Sequence, residues 1–361
     1  MLPTSLFRFG ICAVLPLLLI APAWGQTAAT QLIDEQHYRR AEPLVRAALA
    51  RQPQDVGALI ELSTIEWSYG DLEKAEATAT SAVKTADSSA AAHAQLVNIL
   101  GAELAGKKGG AMEKMSLSHR FRKEAERTLQ LDPNNIYALE ALARYSWYAP
   151  MLAGGDKGKA MQMVAQAIRV DPARGYALKA ELDATQDKSK VFADWKQAVE
   201  LQPGSYLAHT GLGNYLLAAG GDLKTAEAEA EKAIVLDPSR TAGYRLLAAI
   251  YASTEQWPKL EATLHRALAS VPDDRGPEFA AAQAILDHNV QAQYARAEEY
   301  LRHYLNLPVE GQEPSAAMAH WQLGLVLEKE GRRSTALQEV QTAANLDPSL
   351  DGARHDAKRL Q

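Results

Sequence analysis

The chain of 361 residues is long enough for two or three ordinary domains or for one extended repeat array. A composition of 47% hydrophobic and 23% charged residues argues against disorder, and the heavy use of alanine suits closely packed helices. A net charge of −6, with no run of Lys or Arg, argues against the basic face that nucleic-acid binding needs.

Residues 1–25 differ from everything after them. Arg8 and the amino terminus give a positive start, Ile11 to Ile20 is apolar throughout, and Ala21, Ala23 and Gly25 are small. This is the pattern of a signal peptide, with small residues that permit cleavage after Ala23 or Gly25 and cleavage expected after Gly25, leaving Gln26 at the mature terminus. The apolar stretch from Phe9 to Trp24 contains Pro16 and falls short of the ~20 residues that comfortably span a bilayer. The expectation is therefore export, to the periplasm of a bacterial envelope, with no stable membrane insertion after cleavage. An uncleaved segment tethering the chain to the inner membrane is the alternative. Cys12, the only cysteine, lies in this segment, so the mature chain has no disulfide, thiol nucleophile or thiolate metal site.

From Thr27 onward the sequence repeats. Expected units lie near 27–55, 56–89, 90–135, 136–174, 175–205, 206–240, 241–274, 275–315 and 316–350, with a capping helix at 351–361. Pro53, Pro133, Pro172, Pro203, Pro238, Pro272, Pro308 and Pro348 stand at or near unit ends, and Pro238 to Pro272 spans one 34-residue period. Within the second unit, Leu62, Gly70, Ala75 and Ala82 hold the marker positions. The sixth has Leu212-Gly213, Leu216, Gly220, Ala226 and Ala233, and the seventh has Leu247-Ala248, Tyr251 and Ala267. The ninth has Leu323-Gly324, Leu327, Gly331, Ala336 and Ala343. In this spacing residues 26–361 resemble the tetratricopeptide repeat family. The resemblance implies an all-α fold, a right-handed superhelical solenoid of about nine helix-turn-helix repeats plus the C-terminal capping helix.

Apolar residues recurring at three- and four-residue intervals make each unit two amphipathic helices, A and B, and no unit buries its apolar stripe alone. Departures from the ideal spacing fall in four places. Extra residues stand between the helices of the third unit (105–119) and of the fourth (148–160), and the A helix of the fifth is expected to be short, ending near Asp187. A loop from Pro308 to Ser315 precedes the last unit.

No constellation for catalysis emerges. The stretch 154–160 (GGDKGKA) lacks the spacing of a phosphate-binding loop, and Ala160 stands where a hydroxyl is needed. The nine histidines form no close helical ligand set. His93, His209 and His320 occupy one repeat position, which repeat packing explains. Acidic runs such as 226–233 fit solvated helix faces. The chain is read as a non-enzyme with no cofactor and no metal.

In tetratricopeptide proteins, five positions of helix A line a concave face that receives extended peptides. By that resemblance the groove is expected to include Trp67, Asn98, Tyr137, Glu140, Arg144, Trp147, Tyr148, Tyr176, Lys179, Asp183, Asn214 and Arg245. The densest cluster, over units four and five, combines aromatic side chains with Arg144, the mix that binding hot spots favour. Asn214 and Arg245 partly resemble the carboxylate clamp of some co-chaperones, but Thr210 stands where that clamp has Lys. The expected function is a protein–protein interaction scaffold that binds a protein or peptide segment. The alternative is a solute- or small-ligand-binding accessory of an envelope transport system, with a closed apolar pocket at the 105–119 and 148–160 insertions.

Overall fold

The structure, a computed structural model, describes residues 27–106, 110–308, 310–311 and 314–361, so the expected signal segment lies outside the described residues. These residues form nineteen α-helices and no strand. The helices pair as nine hairpins: α1 (Ala28–Asp34) with α2 (Tyr38–Arg51), α3 (Val56–Ser68) with α4 (Leu72–Thr85), and α5 (Ala90–Gly106) with α6 (Ala111–Leu131). Then come α7 (Ile136–Tyr148) with α8 (Lys157–Val170), α9 (Pro172–Ala184) with α10 (Val191–Leu201), and α11 (Tyr206–Ala218) with α12 (Leu223–Leu236). The last are α13 (Ala242–Ser253) with α14 (Trp257–Ser270), α15 (Gly276–Asp287) with α16 (Tyr294–Leu305), and α17 (Ala316–Lys329) with α18 (Arg333–Leu346). Helix α19 (Asp351–Leu360) caps the array. This is the all-α superhelical solenoid that the repeat implied. No described helix is long and apolar enough to cross a membrane.

Local chemistry sets the ends of these helices. Asp55, Asp71, Asn135, Asp156, Ser205, Asp222 and Ser315 are N-caps whose side chains accept from backbone N–H groups of the first turn. Such caps contribute about 1 kcal/mol each. Asp171 serves two helices at once, ending α8 and capping α9, whose first residue is Pro172. The turns between paired helices use the left-handed conformation, at Gly70, Gly220 and Gly331 with φ of 80°, 62° and 79°. Gln36, Glu255 and Asn289 take that role in three other hairpins.

Alanine lets the second helix of each pair approach its neighbours. Ala75, Ala79 and Ala82 on α4, and Ala226, Ala230 and Ala233 on α12, are completely buried. At Gly213 a Cβ would stand 2.4 Å from a Leu246 methyl, so the next hairpin is seated directly on that glycine. The core runs as linked clusters along the array. The largest spans α11 to α19, and a small one at Ala173, Ala198 and Ala208 joins the fifth hairpin to the sixth.

Two expectations are corrected. The extra residues at 105–119 do not form a long loop. Helix α5 runs to Gly106 and α6 starts at Ala111, so most of the insertion lengthens two helices. Residues 111–123 include Ala, Met, Glu, Lys, Leu and Arg, good helix formers that continue the turn already begun. The fifth hairpin is short in its second helix: α9 has 13 residues, as α7 and α11 do, while α10 has 11.

The solenoid also closes on itself. The His37 ring, at the turn between α1 and α2, shares a 2.9 Å hydrogen bond with the Ser239 carbonyl. The Arg39 backbone N–H and its Nε both donate to the Glu310 carboxylate at 2.8 Å. Its Nη2 reaches the Asp273 carbonyl, and Arg40 donates to the Asp273 carboxylate at 2.7 Å through Nε. Ser239, Asp273 and Glu310 follow α12, α14 and α16, so the start of the first turn of the superhelix is clasped beneath hairpins six to nine.

Candidate binding surface

Consecutive first helices pack against one another without a gap from α1 through α17, whereas no two consecutive second helices make contact of comparable extent. The first helices are therefore the tightly spaced inner layer, and their free faces line the concave side.

On α7 that face carries Tyr137, Glu140, Arg144 and Tyr148, spaced by three, four and four residues and so stacked along one side of the helix. Helix α9 lies alongside and answers with Arg174 and Glu181. Arg174 forks onto Glu140 with bonds of 2.8 and 3.0 Å, and its guanidinium lies 4.3 Å from the centre of the Tyr137 ring. Arg144 donates to Glu181 at 2.9 Å and reaches back to Glu140 at 3.4 Å. The result is a ladder of alternating charge, Arg174, Glu140, Arg144, Glu181, bounded by Tyr137 at one end and Tyr148 at the other.

Burial and pairing tune these groups. Burial alone would lower the affinity of Arg174 for its proton, but hydrogen bonding to Glu140 and that carboxylate's charge override it and hold the pKa above its usual value. Lys179 behaves alike: burial opposes its charge, while Asp183 at 2.8 Å and Asp194 at 2.6 Å raise its pKa. Partial burial, and then the Glu181 charge, push the Tyr148 phenol up.

The expected groove residues separate into three groups. Tyr137, Tyr148 and Asn214 are exposed, and Trp67 marginally so. Arg144 is half-buried between its two carboxylate partners, Glu140 and Glu181. Asn98, Tyr176, Lys179 and Arg245 are half-buried; Tyr176 packs against Ala173, Ala198 and Ala208. Glu140 and Asp183 are buried and satisfied by neighbouring cations.

Trp147 is a correction. Its ring is buried among Ala143, Ala160, Val164, Leu178 and Leu182, and its indole N–H donates to Thr185 Oγ1 at 3.0 Å. The small Ala160 on α8 makes room for a side chain that would otherwise face the groove.

Arg174 and Glu181 belong to this surface and were not among the expected residues, nor was Asp194, buried on α10 beneath Lys179. The four-residue spacing of Glu140 and Arg144 signalled an ion pair, but nothing in α7 indicates that α9 completes the ladder. A second polar pattern is repeated on purpose: His93, His209 and His320 bond through Nδ1 to Glu124, Glu229 and Glu339 on the second helix of the same hairpin. These histidines tie hairpins together. No group of side chains among the described residues has the arrangement of a metal site.

No curated protein matches the chain. Among solved structures, the crystal structure of yeast Tom70 is similar at 16% identity and a TM-score of 0.48, covering 92% of this chain and 86% of that one. A human IFIT1 dimer with m7Gppp-AAAA is similar at 14% identity and a TM-score of 0.43, covering 88% of this chain and 80% of that one. Residues 32–98 match the family described as tetratricopeptide repeat, and they span α1 to α5. The hairpins that follow, to α18, repeat the helix-turn-helix architecture of the matched segment.

Proposed function

We propose that the protein is a non-catalytic scaffold of the bacterial envelope, exported by its first 25 residues, and that it holds an extended segment of another protein on the concave face of α7 and α9. The observation that carries this reading is the pairing of exposed Tyr137 and Tyr148 with the Arg144–Glu181 pair on the inner wall. Aromatic rings supply contact area at small entropic cost, and a guanidinium held in place by its own carboxylates loses little freedom on binding. The clasp between Arg39 and Glu310 supports it further, since closing the superhelix surrounds the groove and favours a threaded segment over a globular face.

The solute-binding alternative calls for an enclosed apolar pocket at the two insertions. A cleft of about 400 Å³ that includes Gly154 and Lys159 of the second insertion is lined by Arg122 and Glu126 as well as by Leu129, Leu142 and Met163. Its mixed polar wall favours the groove as the site of protein binding.

The test is retention of envelope proteins on immobilised chain from Gln26 onward, beside an Arg144→Ala/Tyr148→Ala variant with an unchanged melting curve. A partner held by the parent and released by the folded variant supports the reading. A partner held equally by both removes the α7–α9 groove from it.

A further inference from the structure

At the edge of the solenoid where α5 and α7 end and α6 and α8 begin, four large apolar side chains stand in solvent. Met112 and Met115 on the first turns of α6, and Met151 and Leu152 in the turn after α7, are between 72% and 103% exposed. Core packing does not use them, and an exposure this high on neighbouring apolar residues calls for a partner.

The turn that carries Met151 and Leu152 is built to hold its shape. The N–H groups of Gly154 and Gly155 bond back to Met151 and Pro150, and that of Asp156 bonds to the Ser146 carbonyl at 2.7 Å. Tyr145 Oη donates to the Ala153 carbonyl and meets Ser118 of α6, which ties the turn to the lengthened helix. At Gly155 a Cβ would fall 1.9 Å from the Ala149 oxygen, so only glycine fits the bend. The two apolar side chains are thus presented by a fixed support.

Charge is distributed to match. Residues 110–123 and 148–160 hold six Lys and Arg (Lys114, Arg120, Arg122, Lys123, Lys157, Lys159) against Glu113 and Asp156, in a chain whose net charge is −6. Arg120 is paired with Glu76 and Arg122 stands 3.6 Å from Glu126, while Lys157 lies 4.7 Å over the Trp147 ring. Behind Met151 and Leu152 lies the 400 Å³ cleft, with Arg122, Gly154 and Lys159 at its wall.

We propose that this edge docks on the surface of a membrane rich in anionic phospholipid, with Met112, Met115, Met151 and Leu152 entering the acyl boundary and the cations meeting the headgroups. A protein pocket would enclose such side chains one by one. Here all four are between 72% and 103% exposed, so no protein walls enclose them. Apolar insertion combined with basic charge is how peripheral proteins bind bilayers without spanning them.

The test is co-sedimentation of the chain from Gln26 onward with vesicles of phosphatidylcholine alone and of phosphatidylcholine with an equal part of phosphatidylglycerol. Two variants accompany it, Met151→Ser/Leu152→Ser and Lys114→Ala/Lys159→Ala. All four side chains are exposed, so circular dichroism melting should match the parent. The parent is expected to bind the anionic vesicles and not the neutral ones. Losing two cations should weaken binding by roughly thirtyfold at low salt, since each contributes about fivefold near an anionic surface. The apolar variant should lose binding by about tenfold or more. Equal binding to both vesicle types, or variants that bind as the parent does, overturns the proposal. So does sedimentation equilibrium showing a dimer that the apolar variant abolishes, because the edge would then be covered by a second copy.

Discussion

Replacing Glu310 with Gln should open the ring. Glu310 is buried and accepts both from the Arg39 side chain and from its backbone N–H, each at 2.8 Å, while the arginine is about one-quarter exposed. Gln preserves the shape and removes the charge. A hydrogen bond to a charged group contributes about 1.5–3 kcal/mol and a neutral one about 0.5–1.5 kcal/mol. After allowance for screening at Arg39, the closed state should lose about 1–2 kcal/mol, or roughly a five- to thirtyfold fall in the ratio of closed to open forms. The ties from Arg39 and Arg40 to Asp273 and from His37 to Ser239 remain. Spin labels at Ala47 on α2 and Ala269 on α14, both exposed, report the gap by pulsed dipolar spectroscopy once Cys12 is changed to Ser. The parent should give one narrow distance distribution, and Glu310→Gln should add a population at longer distance that grows with salt. A variant distribution identical to a narrow parent one would refute the reasoning, as would a parent that is already broad.

Ala226→Leu should lower stability by about 1–3 kcal/mol through overpacking, because Ala226 is wholly buried where α12 meets its neighbours; thermal unfolding measures it. Trp147→Ala should cost about 3–5 kcal/mol as a core cavity, whereas Tyr148→Ala, one residue on and exposed, should stay within about 0.5 kcal/mol. Denaturant titration separates the two, and equal effects would contradict the placement of Trp147. Glu328 is held below its ordinary pKa by hydrogen bonding from Arg359 on α19, which reaches it at 2.7 Å. A depressed folded-state value means that its contribution is complete above the unfolded value of 4.5 and is lost as pH falls through the folded one. Hydrogen exchange in α19 should therefore accelerate in that acid window relative to α17, and an unchanged ratio would show that the pair does not hold the cap.

Much of the fold was legible because it is dictated locally. Gly70, Gly220 and Gly331 stand where the turn needs positive φ, and the buried alanines recur at one spacing, so each hairpin announces itself. The insertion at 105–119 was legible as an irregularity but not as helix, because spacing shows that residues are added and not what they form. Register predicted that Tyr137, Arg144 and Tyr148 share one side of α7; there Tyr137 and Tyr148 are exposed and Arg144 is half-buried. Register failed at Trp147 because the space it fills is created by Ala160 on another helix. The histidine ties were half visible: the repeated position of His209 and His320 was clear, and the matching Glu229 and Glu339 on the second helices were the missing signal. The clasp was not visible at all. Arg39 and Glu310 lie 271 residues apart, and only the pitch of the stacked hairpins brings them together.

The scaffold reading rests on the concave face of α7 and α9, and site-specific photo-crosslinking from that face tests it most directly. A photoreactive residue at Tyr137 or Tyr148 is compared, in intact cells, with one at Lys232, an exposed position on the outer helix α12. A crosslink to another protein is expected from both inner positions and not from Lys232, and it should be lost when Arg144→Ala is added. No inner crosslink, or one equally strong from Lys232, would contradict the scaffold reading.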